Sequence, residues 1–104
     1  MEHEPHALFL VETHFNEVVP GAQCTQVFAN IEAALKSQGA TFANIVEFTT
    51  YLVHSQDIPK FMKFRQREFP RMFPNGAYPP NTLLMVDRLV GELFLIEVAT
   101  VAAL

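Results

Sequence analysis

The chain has 104 residues, half of them hydrophobic and 17 % charged, with a formal net charge of −4 at pH 7. That length calls for a single domain, 1–104, and that apolar share excludes intrinsic disorder, because it supplies ample material for a core. No apolar run approaches the ~18 residues that cross a bilayer, the acidic balance argues against nucleic acid as the default partner, and a lone cysteine, Cys24, forbids an internal disulfide or a cysteine-cluster zinc site.

Met1 to His6 lacks the basic start and apolar stretch of a signal peptide, and the cysteine usage fits a reducing compartment, so a cytoplasmic protein is expected. Ala7 to Val11 is a short apolar run that reads as a strand, broken off by Val18-Val19-Pro20-Gly21. Val27, Phe28, Ile31, Ala34 and Leu35 then recur at helical spacing, and the pattern predicts a helix over 25–38. Thr25 is its expected N-cap, and Gly39 stands where a left-handed C-terminal cap belongs.

Residues 45 to 53 are rich in β-branched and aromatic side chains and read as a strand, with Glu47 marking its less buried face. A second helix opens at Asp57-Ile58-Pro59, where Asp57 is the expected cap and proline tolerates the first turn. Phe61, Met62, Phe69, Met72 and Phe73 form its expected buried side, and Pro70 predicts a kink or an early end. Phe73 to Pro80 must be a loop, since it holds Pro74, Gly76, Pro79 and Pro80. Two strands follow near 82–88 and 93–102, joined around Val90-Gly91-Glu92, the last apolar enough to be covered on both faces. This order is an α+β layout, with helices packed on one sheet face. The apolar surplus over what a small domain needs points to an oligomer interface.

Local chemistry is sparse. Cys24 sits near a helix start, where a thiol can become a nucleophile, yet no adjacent base accompanies it and an idle thiol is the plainer reading. Glu12 and His14, two apart, would share a strand face, but two ligands without a third do not make a metal site. Lys60, Lys63, Arg65, Arg67 and Arg71 fall within twelve positions, a stripe that reads as a solvated helix face or a meeting place for phosphates. Glycine-rich phosphate loops and GxSxG turns are absent from the sequence.

A larger pattern emerges from ordered segments. Gly39-Ala40 is followed by Ile45-Val46-Glu47-Phe48-Thr49-Thr50-Tyr51-Leu52, then Asp57 to Phe61, Phe73, and Tyr78-Pro79-Pro80-Asn81-Thr82. Val86-Asp87-Arg88-Leu89 and Ile96-Glu97-Val98-Ala99-Thr100-Val101-Ala102 complete it. In order and spacing the chain resembles the RidA (YjgF) family of small imine and enamine deaminases. The resemblance implies a chorismate-mutase-like α+β fold: one mixed sheet with two helices on one face, and a homotrimer whose sheets face inward around small-molecule pockets at the subunit interfaces. Full-site members hydrolyse 2-aminoacrylate and related imines to a 2-keto acid and ammonia, with no metal or organic cofactor.

The same resemblance exposes departures. Where deaminase members carry an arginine that grips the substrate carboxylate, this chain has Asn81, an amide with two N–H donors and no charge. The preferred register puts Ala99 at the family's water-positioning carboxylate, while a slide of two puts Glu97 there, on the same strand face. Val11-Glu12-Thr13 or Glu12-Thr13-His14 stands in place of a Ser-Gly-Gln pocket wall, and an additional first strand is missing. The implied site is therefore Glu97 as general base, with Asn81, Thr82, Tyr78, Phe69 and Ala99 binding substrate.

Three functional readings follow. The first is a trimer whose interface pocket binds or hydrolyses a metabolite other than a 2-imino acid, acting as a cofactor-free hydrolase on a C–N bond if it is an enzyme. The second is a genuine deaminase, with Arg88 replacing the missing arginine. The third is a nonenzymatic RNA- or protein-binding module using the basic helix, in line with the ribonuclease action linked to some relatives. The first is preferred.

Overall fold

The structure, a computed structural model, describes residues 6–12 and 20–104, with side chains from Gln23 onward. It contains β1 (His6–Glu12), α1 (Pro20–Ser37), β2 (Ile45–Leu52), α2 (Ile58–Met72), β3 (Asn81–Met85) and β4 (Ile96–Ala103), with short 3-10 turns at Phe42–Asn44 and Ser55–Asp57. The sheet order is β1-β4-β2-β3. Strand β4 runs antiparallel to β1 and β2, and β3 runs parallel to β2, so β2-α2-β3 is a crossover unit. The mixed sheet and its two helices make the α+β fold expected from the sequence.

Helix α1 starts five residues before the predicted position, because Pro20 opens it instead of merely ending what precedes it. Proline suits a first helical turn, where the missing N–H has no partner to lose. Thr25 therefore lies inside the helix and is not its cap. The far end follows expectation. Gly39 adopts φ +72°, and the Gly39 and Ala40 N–H groups donate to Lys36 and Leu35 carbonyls at 3.0 and 2.9 Å, a Schellman closure.

A bulge in β2 places Val46 as an extra residue between the Ile45–Ala102 and Glu47–Val101 pairs. Ile45 and Phe48 consequently both reach the core while Val46 and Glu47 are exposed. Asp57 precedes α2 but does not cap it through its side chain, correcting that expectation. Its carboxylate instead approaches Lys60 Nζ at 3.7 Å, with Oδ2 buried and unbonded. The helix ends two residues after Pro70. Its buried residues are Phe61, Phe64, Phe69 and Met72, whereas Met62, expected inside, is exposed.

The last third differs most from its reading. Strand β3 is Asn81–Met85 and β4 is Ile96–Ala103, which leaves 86–95 as a connector. The two strands do not form a hairpin, since β2 and β4 pair with each other and β3 lies on the outer side of β2. Nor is β4 covered on both faces. Ile96, Val98, Thr100 and Ala102 are buried, while Glu97, Ala99, Val101 and Ala103 are only partly covered. The buried set joins Phe48 and Leu52 of β2, Phe28, Ile31 and Leu35 of α1, and the α2 aromatics in one core. Both helices therefore pack on one face, and the opposite face carries no layer of this chain's described residues.

Candidate functional site

The loop after α2 prepares the start of β3. Gly76 takes φ +78°, and Asn75 Oδ1 accepts the Ala77 N–H at 3.0 Å, a local turn that feeds Tyr78 and the two prolines. Prolines donate nothing to a ladder, but Pro80 still offers its carbonyl, which accepts the Phe48 N–H at 2.9 Å. Asn81 then enters the sheet opposite Phe48. Its Oδ1 accepts a hydrogen bond from the fully buried Thr50 hydroxyl at 3.0 Å, leaving the side-chain NH2 as the group a ligand can use.

Tyr78 is 44 % exposed and meets the fully buried Phe69 edge to face, with ring centroids 5.5 Å apart. Phe69 thus forms a floor beneath Tyr78 and is not an open pocket wall. Cross-strand register puts Thr82 beside Thr49 and Ala99 beside Thr49, with Glu97 beside Tyr51. Register and the alternation of side chains assign Asn81 to the helix-side face and Thr82, Ala99 and Glu97 to the other. Within one chain, then, the six residues implied by the resemblance divide between two faces of the sheet. Arg88 does not extend β3, as it lies beyond Met85. Its guanidinium donates to the Leu89 and Val90 carbonyls at 3.1 and 3.2 Å and approaches Glu92 at 3.5 Å.

Cys24 lies within α1 and is 3 % exposed. Burial, reinforced by the nearby Asp57 charge and only partly offset by Arg67, pushes its thiol up to about 12. A thiol held protonated this firmly is no nucleophile at neutral pH. The folded pKa is above the unfolded value of 9.0, so the associated stability is complete below pH 9 and fades as pH rises toward 12. Denaturation series between pH 8 and 11 should show a steeper alkaline loss for the native chain than for Cys24→Ala. Equal slopes would contradict the assignment. The pairing of Glu12 with His14 cannot be followed, because His14 lies outside the described residues.

The basic stripe of α2 is largely internally matched. Arg67 and Arg71 share Glu68 at 2.9 and 3.0 Å, and these hydrogen bonds, Arg67 first, hold its carboxyl below the usual range. Arg65 behaves differently. Its guanidinium carbon lies 4.9 Å from the Phe69 ring centroid, and it lines a cleft of about 330 Å³ with Met62, Gln66 and Tyr78. The sequence reading grouped Arg65 with the other cations. The signal that distinguishes it is an aromatic residue four positions on, Phe69, within reach of one helix face.

Comparison with known proteins agrees with this architecture. Rv2704 from Mycobacterium tuberculosis, described as a member of the highly conserved YjgF/YER057c/UK114 family, superposes with TM-score 0.79 at 19 % identity, over 99 % of this chain and 82 % of that one. A Rid-family protein, YyfB from Yersinia pestis, gives 0.71 at 25 % identity over 93 % and 78 %. E. coli TdcF with bound serine gives 0.74 at 17 % identity over 85 % and 67 %. No curated protein matches the chain at the sequence level. The family profile described as Endoribonuclease L-PSP covers residues 10–104, and with these neighbours it identifies the chain as a member of the RidA/YjgF family.

Proposed function

We propose that the chain works as a cytoplasmic homotrimer with a small-molecule pocket at each subunit interface, and that this pocket has diverged from 2-imino acid hydrolysis. The observation carrying this reading is the sheet face opposite the helices. Tyr51, Leu84, Ala99 and Val101 lie on it incompletely covered, with Leu84 45 % exposed, and burial of such a face against neighbouring copies is a ready source of stability. Assembly would also give Asn81 and Tyr78 a chance to meet a neighbour's Glu97 or Ala99, which a single chain keeps on the other face. The bound serine of TdcF is consistent with a small polar ligand in this fold.

In this reading Asn81 orients a carbonyl or hydroxyl through its NH2, Thr82 adds a hydroxyl, and Tyr78 supplies an aromatic wall over Phe69. Glu97 is the general base, activating a water that attacks the carbon of a C–N bond, with the nitrogen leaving as ammonia. No metal or organic cofactor enters. The uncharged Asn81 lacks the charge-assisted grip that an arginine gives a carboxylate.

The test is to generate 2-iminobutanoate in situ and follow its decay with and without protein. Little acceleration is expected, and a rate matching an arginine-bearing relative would establish the deaminase reading instead. Asn81→Arg should raise residual activity by about tenfold, the order of one charge-assisted hydrogen bond. Because that change also strips the Thr50 hydroxyl of its acceptor, it is best paired with Thr50→Val. An unchanged rate in the well-folded double variant would contradict the pocket assignment.

A further inference from the structure

Arg65 carries chemistry that the interface pocket does not require. We infer that Arg65, Met62, Gln66 and Tyr78 form a second binding cleft, sharing only Tyr78 with the proposed interface pocket, for a small carboxylate with an apolar or aromatic body. All four residues come from one chain, so the cleft is already formed before any subunits assemble.

Three features converge on that ligand. The cleft measures about 330 Å³, the low end of the range for small-molecule sites. Its only charged lining residue is Arg65, which gives it local positive character on a chain of net charge −4. The guanidinium is also positioned in advance. It lies over the buried Phe69 ring, contacts Met62 Sδ through Nη1 at 3.8 Å, and has a buried Nε without a partner among the described residues. Stacking on an aromatic face engages the plane of a guanidinium and leaves its N–H edges for a bidentate oxyanion. Lys60, Arg67 and Arg71 each have a carboxylate within 4 Å, whereas among the described residues neither Arg65 nor Lys63 has one, and of these two only Arg65 lines the cleft.

The body of the ligand follows from the other walls. Met62 is 41 % exposed and Tyr78 44 % exposed, so both present apolar surface beside the cation. A thioether and a phenol ring together suit an aromatic or branched apolar group, and Gln66 adds an amide at the rim. A carboxylate is favoured over a phosphoryl group because a single fork faces the cleft, without the further cations that a dianion rewards.

The probe is 3-phenylpropanoate, titrated into the uniformly labelled full chain while backbone amide resonances are followed by NMR, with 3-phenylpropanamide as the uncharged control. Saturable shifts centred on residues 62–66 and 78 are expected, with the amide binding at least tenfold more weakly. Arg65→Met should weaken the carboxylate at least tenfold at unchanged helix content, and Arg65→Lys should fall between. Absence of saturable shifts at these residues, equal binding of acid and amide, or full affinity in a folded Arg65→Met would each overturn the proposal. If Arg65→Met fails to fold, the acid-against-amide comparison on the native chain decides alone.

Discussion

Replacing Phe69 by alanine is expected to cost about 3–5 kcal/mol of stability, the usual range for truncating a buried aromatic. Phe69 has no exposed surface, and its ring lies 5.3 to 5.9 Å from the centroids of Phe28, Phe48, Phe73 and Tyr78. It joins α1, β2, α2 and the loop before β3, so the cavity cannot be closed by moving one neighbour. Against the roughly 5–15 kcal/mol that holds a domain folded, this is a large fraction. Urea unfolding at fixed protein concentration measures it, with the exposed Met62→Ala expected within about 0.5 kcal/mol of the native chain. A Phe69→Ala loss below about 1 kcal/mol would mean that the aromatic cluster is not the centre of the core. The same variant should weaken the Arg65 cleft, whose guanidinium rests on this ring.

The second large effect concerns the uncovered sheet face. Val101 stands on β4, the second strand of the sheet order, opposite Glu47 of β2. In a lone chain Val101→Lys should be tolerated, because the ammonium can reach water and the Glu47 carboxylate lies across the ladder. Buried at a subunit seam, the same charge costs several kcal/mol per subunit. Association should therefore weaken more than a hundredfold while the far-ultraviolet spectrum stays native. Ala33→Lys, on the exposed surface of α1, should assemble as the native chain does. If both variants associate equally well, the seam lies elsewhere.

Much of the fold was legible because its signals are local. The spacing of Val27, Phe28, Ile31 and Leu35 and the glycine at 39 are sufficient for the body and end of α1. Its start was not, because Pro20 reads equally well as a breaker and as a first-turn residue. The β2 bulge depends on how Ile45 and Glu47 pair with Ala102 and Val101, and no pattern within β2 announces the extra Val46. The separation of β3 from β4 is likewise a matter of non-local pairing. Successive strands commonly neighbour each other, and here β2 lies between them.

The candidate site was legible in composition and not in placement. The Tyr78-Pro79-Pro80-Asn81-Thr82 segment was identifiable, and the loop and strand start it predicts are present. What could not be read is that Asn81 is engaged by a buried threonine, or that alternation sends Asn81 and Glu97 to opposite faces. Slippage between Glu97 and Ala99 preserves the face, so that ambiguity leaves this division intact. Arg65 could not be told apart from the other cations of its stripe because a charge on an exposed helix looks like solvation until its ring partner is located.

The central claim is that the uncovered sheet face is a subunit interface that completes a shared pocket. Light scattering coupled to size-exclusion chromatography tests it most directly. With a chain mass of 11.8 kDa, the account predicts a single species at three times that mass at micromolar concentration. A stable species at the mass of one chain, with Val101→Lys eluting identically, would contradict it.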